Sequence, residues 1–233
     1  MTDPQLDVGP ETGDGTRRDR TTAVNQGREA LIEAAIRSIS VDGASRTRPK
    51  DLAEGLGLSK SLVNFHFGGR DGLIAEAVAT SYERYVDLVW AAAESAGSDP
   101  VARLFAWIDE QIDWTMANPG IAAALNFPNE ASGMLGRFDG AERDRIQAAG
   151  TRNFENLRSL VLDARAHLRD PSATEPDPMD ATYDAVIVGW MTLGTAVWSA
   201  GRHVPTNTAV TTAHFEPARR RMKEQILAVL RAS

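Results

Sequence analysis

The 233-residue chain contains no cysteine, which excludes disulfides, thiolate zinc sites and cysteine nucleophiles and gives no reason to place it in an oxidising compartment. No basic segment followed by an apolar run opens it: residues 1–16 hold four acids and no base. The one stretch resembling a membrane span, Ala185 to Gly201, falls short of the roughly 18–20 residues required and is diluted by Gly189, Thr192, Gly194 and Ser199. Catalytic signatures are missing as well. There is no His-Glu-x-x-His, no Gly-x-Ser-x-Gly and no phosphate-binding glycine loop, and Asp163 and His167, spaced i, i+4, have no second ligand pair and read as a surface ion pair. These absences lead us to expect a cytoplasmic protein that is not an enzyme, uses no cofactor or metal and does not enter a membrane.

What is present is an ordinary globular composition, 42% hydrophobic, with a formal charge of −7 that hides a polarity along the chain. Arg17 to Arg70 carries ten Lys/Arg against six Asp/Glu, while residues 71–233 carry −7. A basic front on an acidic body suits a nucleic-acid-binding head joined to a domain that does not touch nucleic acid. Residues 1–24, rich in Gly, Pro and Thr, read as a disordered tail, in which Arg17, Arg18 and Arg20 are either a groove-tracking arm or plain solvated charge.

Helical periodicity then runs through the remainder, and no strand alternation or internal repeat stands out, so the expected fold is all-α. Leu31, Ala35, Ile36 and Ile39 mark a first helix over 26–41, stopped by Asp42-Gly43. Thr47 as N-cap and Pro49 in the first turn open a short second helix, Gly57-Leu58 interrupts it, and Ser59 caps a third from Lys60 to Phe67. Two short helices about a glycine-containing turn are what a helix-turn-helix requires. On the third helix the outward set is Lys60, Ser61, Leu62, Asn64 and His66, suited to base edges, phosphate and thymine methyls. Thr47, Arg48, His66 and Arg70 are candidate backbone clamps.

The series Gly43, Thr47, Leu52-Ala53, Gly57-Leu58-Ser59, Phe65-His66-Phe67 and Arg70-Asp71-Gly72-Leu73 resembles the tetracycline-repressor (TetR) family over about residues 28–75. Asn64 stands where that family usually has Tyr, Ser61 where Gly is common, and Arg70 where Lys opens the fourth helix, so no operator sequence carries over. The resemblance implies a helix-turn-helix head over 25–70, a helical ligand-binding and dimerisation domain over 71–233, and a double-stranded DNA operator as partner. It supports backbone clamping at Thr47, Arg48, His66 and Arg70, most weakly at Arg48.

In the body, helices are expected over 73–96, 101–116, 121–125, 141–168, 180–200 and 216–231, with a proline-rich linker between 170 and 178. The 180–200 helix is apolar almost all round, which together with the resemblance points to a homodimer through these last two, the eighth and ninth helices. Aromatics enrich this half. A small hydrophobic or aromatic effector is expected among Tyr85, Trp90, Phe105, Trp114, Asn126, Phe127, Phe154, Tyr183 and Trp190, with Thr115 and Thr192 as further polar groups, between the fourth, fifth, seventh and eighth helices. The run Arg219-Arg220-Arg221-Met222-Lys223 reads as the polar side of an amphipathic helix. The function expected is therefore a DNA-binding regulator, a repressor released from a near-palindromic operator by its effector. The alternatives are an activator or a ligand-independent regulator and, further off, a helical-bundle enzyme.

Overall fold

A computed structural model describes the backbone of residues 13–126, 140–169, 178–200 and 214–232, and the side chains of 25–125, 140–169, 179–196 and 214–231. Among the described residues the order is α1 (Gly13–Asp42), α2 (Pro49–Gly55), α3 (Lys60–Phe67), α4 (Arg70–Ser95), α5 (Pro100–Ala117), α6 (Pro119–Asn126), α7 (Ala141–Leu168), α8 (Pro178–Ala200) and α9 (Phe215–Ala232), with no strand.

The caps follow the local chemistry, with one exception. Ser59 accepts the backbone N–H of Ser61 at 3.3 Å at the start of α3, and Gly68 closes that helix in the left-handed conformation, its N–H on the Asn64 carbonyl. Asp99 caps α5 by accepting the Val101 N–H at 3.0 Å, with Pro100 in the first turn. The exception is α2, whose N-cap is Arg48 rather than Thr47, with no side-chain cap bond. The start of α1 is also corrected: helix extends back through 13–24, where a disordered tail was expected. Once the packed turns of α1 have paid for nucleation, each added turn costs little, and no proline interrupts it between Gly13 and Asp42. Residues 1–12 of that tail lie outside the described residues.

Two apolar cores are arranged along α4. The first gathers Leu31, Ala35 and Ile39 of α1, Ala53 of α2 and Val63 of α3 against Leu73, Ile74, Ala77 and Val78 of α4 and Ile121 and Ala124 of α6. The second joins Tyr85, Val86, Val89 and Ala93 of α4 to Leu104, Trp107, Ile108 and Ile112 of α5, with faces of α7, α8 and α9. Packing therefore does not break at residue 70. The three-helix head has too little apolar surface to close its own core, and α4 and α6 complete it. Trp114 of α5 packs on both cores, and α4, roughly 39 Å long at 1.5 Å per residue, belongs to both.

Candidate functional site

α3 presents its face because Val63 is buried in the head core and Leu62, Phe67 and Leu58 are packed half-way into it, which fixes the helix's rotation. Lys60, Ser61, Asn64 and Phe65 are then left exposed, Phe65 at 75%. Phe65 is the member of this set whose direction the sequence leaves open. The signal is there, since positions 61, 64 and 65 share one helical face. A bare phenyl ring beside an amide and an ammonium group offers a surface for thymine methyls or deoxyribose next to two hydrogen-bonding groups.

The remaining expected contacts are placed differently. Leu62 lies against the head core rather than on the outer face. His66 is half-buried between Phe65 and Phe67, with ring centroids at 4.9 and 5.9 Å, and its Nε2 is sealed from solvent. Arg48 is exposed, as are Arg46 and Lys50 beside it. Thr47 is fully buried, its hydroxyl 3.0 Å from that of Ser38 and donating to the Gly43 carbonyl at 3.2 Å. In this conformation it has no surface to offer a phosphate, because a buried hydroxyl takes partners inside the turn.

Arg70 remains exposed, but its guanidinium is engaged by the chain's own backbone. Its guanidinium donates to the carbonyls of Ala44 (2.6 Å), Thr47 (3.3 Å) and Ser45 (3.4 Å) and pairs with Asp71 at 3.1 Å. The turn after α1 leaves carbonyls without helical partners, and the donor-rich fork supplies them, so Arg70 ties the first turn of α4 to the α1–α2 connection. At Gly72, two residues on, an added Cβ would sit 1.8 Å from the Phe67 carbonyl oxygen, so only glycine lets α4 start this close beneath α3.

Two further contacts link head and body. At the start of α6, a Cβ on Gly120 would lie 1.8 Å from the Ile39 carbonyl oxygen, and Ser40 donates to Asn118 Oδ1 at 2.9 Å, so α6 abuts the end of α1. On the other side, buried Glu76 of α4 pairs with Arg28 of α1 (3.2 Å) and Arg145 of α7 (3.0 Å). Arg145 also forks onto Glu83 at 2.9 and 2.6 Å, and that hydrogen-bonded guanidinium holds the Glu83 carboxyl below the usual carboxylate range.

In the body, Tyr85 is buried and packs at a tilt against Trp114 with centroids 4.5 Å apart, while Trp90, Phe105 and Phe154 pack partly buried on the same core. Burial drives the Tyr85 hydroxyl pKa far up, so the ring stays neutral. Tyr183 and Trp190, expected inside, face outward at 61% and 72% exposure. The reason is size: α8 turns Ala181, Ala185, Val188, Thr192 and Ala196 to the core, which brings the helix close and leaves the large side chains outside. Of Asn126 only the backbone is described, and Phe127 lies outside the described residues. Thr115 and Thr192 are buried, the latter donating to the Val188 carbonyl at 2.8 Å. Trp107, which the sequence offers only as one of the body's aromatics, and Gln111 and Asn153, which the sequence reading passes over, carry polar atoms in this core.

Phe105 and Leu227 also line an open groove of about 510 Å³ between α5 and α9, whose other walls are charged. It lies apart from the expected apolar cavity. There the basic run of α9 is engaged with α5 acids: Arg219 pairs with Asp109 and Asp113 at 2.8 Å, and Lys223 with Asp109. Asp163, half of the candidate i, i+4 pair, faces Arg103 at 3.7 Å. Among the described residues no group of acids and histidines is arranged to hold a metal, and no helix is long and apolar enough to cross a membrane.

Residues 31–77 match the family model "Bacterial regulatory proteins, tetR family". The head is a TetR-family DNA-binding domain. Solved TetR-family structures share the architecture over most of the chain. The regulator PfmR from Thermus thermophilus is 22% identical with a TM-score of 0.57, covering 85% of this chain and 97% of its own. The fatty acid degradation regulator FadR from Bacillus halodurans is 12% identical at 0.59, covering 84% and 94%. A TetR-family regulator from Mesorhizobium loti is 17% identical at 0.61, covering 88% and 97%. No curated protein matches the chain in sequence. The TetR-type head over residues 31–77 supports a role in DNA-binding transcriptional regulation.

Proposed function

We propose that the chain is a cytoplasmic homodimeric repressor that binds a near-palindromic operator through α3 and leaves it when a small, largely apolar molecule enters the body. The observation that carries the DNA-binding half is the face of α3, where Lys60, Ser61, Asn64 and Phe65 stand exposed on a helix capped at both ends and anchored by Val63. Arg46, Arg48 and Lys50 add positive charge near the start of α2 for phosphate. Dimerisation through α8 and α9 is supported by the outward stripe Met179, Tyr183, Ile187 and Trp190, spaced i, i+4, i+8, i+11 on α8. Two heads on one two-fold axis then read two half-sites of opposite orientation.

Release follows from the shared packing. Trp114 touches both cores and Tyr85, so a molecule lodged beside them shifts α4 and α6, which complete the head core, and changes the separation of the two α3 helices. A coupling of about 1–3 kcal/mol lowers operator affinity by roughly five- to 150-fold.

The test is a set of binding isotherms against salt on operator and mutated operators. Asn64→Ala is expected to cost about 1–3 kcal/mol at one operator position, and Lys60→Ala to reduce the salt slope by about one. Arg70→Ala should weaken binding to all DNA while leaving the salt slope within about half a unit, because its guanidinium holds a turn. A reading surface on α3 is refuted if Asn64→Ala and Lys60→Ala bind like the parent, and a slope reduced by about one in Arg70→Ala would return that residue to the phosphates.

A further inference from the structure

Three buried polar atoms in the body core have no hydrogen-bond partner among the described residues: the indole N–H of Trp107, Oε1 of Gln111 and Oδ1 of Asn153. A buried polar atom left unmade costs about 1–3 kcal/mol, and folded chains hold few of them, so several in one core need a reason. They belong to neighbouring residues. Trp107 and Gln111 lie one turn apart on the buried face of α5, and Gln111 as a whole is only 8% exposed. Three residues further along the same face, Trp114 packs at a tilt against Tyr85, whose hydroxyl lies within hydrogen-bonding reach of the Asn153 side chain. Of the Asn153 amide, the oxygen is the atom left without a partner.

The orphans are therefore two acceptors and one donor along one aromatic wall formed by α4, α5 and α7. The complement of that set is two N–H donors and one carbonyl on an apolar frame. We infer that the body recognises a neutral aromatic primary carboxamide, whose nitrogen donates to Gln111 and Asn153 and whose oxygen accepts from Trp107. A carboxylate of the same shape is disfavoured, since it would set its oxygens against two acceptor oxygens. The surroundings agree, because burial keeps the Tyr85 hydroxyl neutral. This inference rests on the effector-sensing part of the proposed function and gives it a chemical class.

The experiment titrates benzamide, benzoate and toluene into the full-length protein by calorimetry, with DNA release measured in parallel. Benzamide is expected to bind at least about tenfold more tightly than either of the others, the loss expected when a buried hydrogen bond goes unmade. Gln111→Leu should erase that advantage and, by removing an orphan atom, raise the melting temperature of the ligand-free protein by several degrees. Asn153→Leu serves as the second variant and should likewise erase the advantage if Gln111→Leu does not fold. The assignment is overturned if toluene or benzoate binds as well as benzamide, if none of the three binds, or if both variants keep the parent's preference. The two readings separate cleanly. Release by toluene and not by benzamide leaves effector sensing standing and removes the carboxamide, whereas tight benzamide binding with no release removes the proposed regulation and leaves the site.

Discussion

Replacing Gly120 by alanine is expected to destabilise the protein by about 3–5 kcal/mol, among the largest effects of any single methyl group in the chain. The added Cβ would fall 1.8 Å from the Ile39 carbonyl oxygen, 3.0 Å from its carbon and 3.1 Å from the Gly43 Cα, all of them backbone atoms that no rotamer change can move aside. Relief requires α6 to withdraw from the end of α1. That would uncover Ile121 and Ala124, both fully buried in the head core, and strain the Ser40–Asn118 hydrogen bond. Gly72→Ala meets the Phe67 carbonyl oxygen at the same 1.8 Å and should behave alike. Gly55→Ala is the control: it is helical, nothing lies within 4 Å of its Cβ, and helix propensity alone should stabilise by up to about 1 kcal/mol. Denaturant unfolding of the three variants decides the matter, and a Gly120→Ala protein within about 1 kcal/mol of the parent would mean that α6 does not seat against α1 in this way.

The second large effect is expected at the dimer interface. Tyr183 and Trp190 are the most exposed large apolar side chains among the described residues of α8, and burying each in a two-fold contact contributes roughly 1.5–3 kcal/mol, counted twice by symmetry. The double variant Tyr183→Glu, Trp190→Glu should therefore sediment as a folded monomer at micromolar concentration and lose at least about a hundredfold in operator affinity, since a single head holds one half-site. Its helical content should stay that of the parent, because neither side chain belongs to the core. A double variant that remains dimeric would move the interface away from this stripe.

Much of the architecture could be read from spacing and capping chemistry. Ser59 before α3, Asp99-Pro100 before α5 and the stops at Gly43 and Gly97 are local signals, and the observed helices begin and end within a few residues of them. What spacing does not contain is direction. α8 is apolar on every side, so periodicity cannot say that its alanines face in and Tyr183 and Trp190 face out. Thr47 and Arg70 are polar residues at helix starts, a pattern equally consistent with holding a phosphate and with satisfying the chain's own carbonyls, and only the fold brings Ala44, Ser45 and Thr47 within reach of Arg70. Gly120 owes its constraint to a segment met only after folding, Ile39 and Gly43 at the far end of the head, whereas Gly72 meets Phe67 just five residues before it. Gln111 was closer to legible: a lone amide within the apolar face Leu104, Trp107, Ile108, Ile112 is a local anomaly that composition averages away.

The central claim, a two-headed reader of DNA through α3, is tested most directly by selecting binding sites for the purified full-length protein from a random duplex pool. The account predicts enrichment of an inverted repeat whose half-site centres lie about one helical turn, or a small whole number of turns, apart, with Asn64→Ala relaxing the preference at one symmetric pair of positions. Enrichment of a lone half-site or of a direct repeat, or no enrichment above bulk sequence, would contradict it.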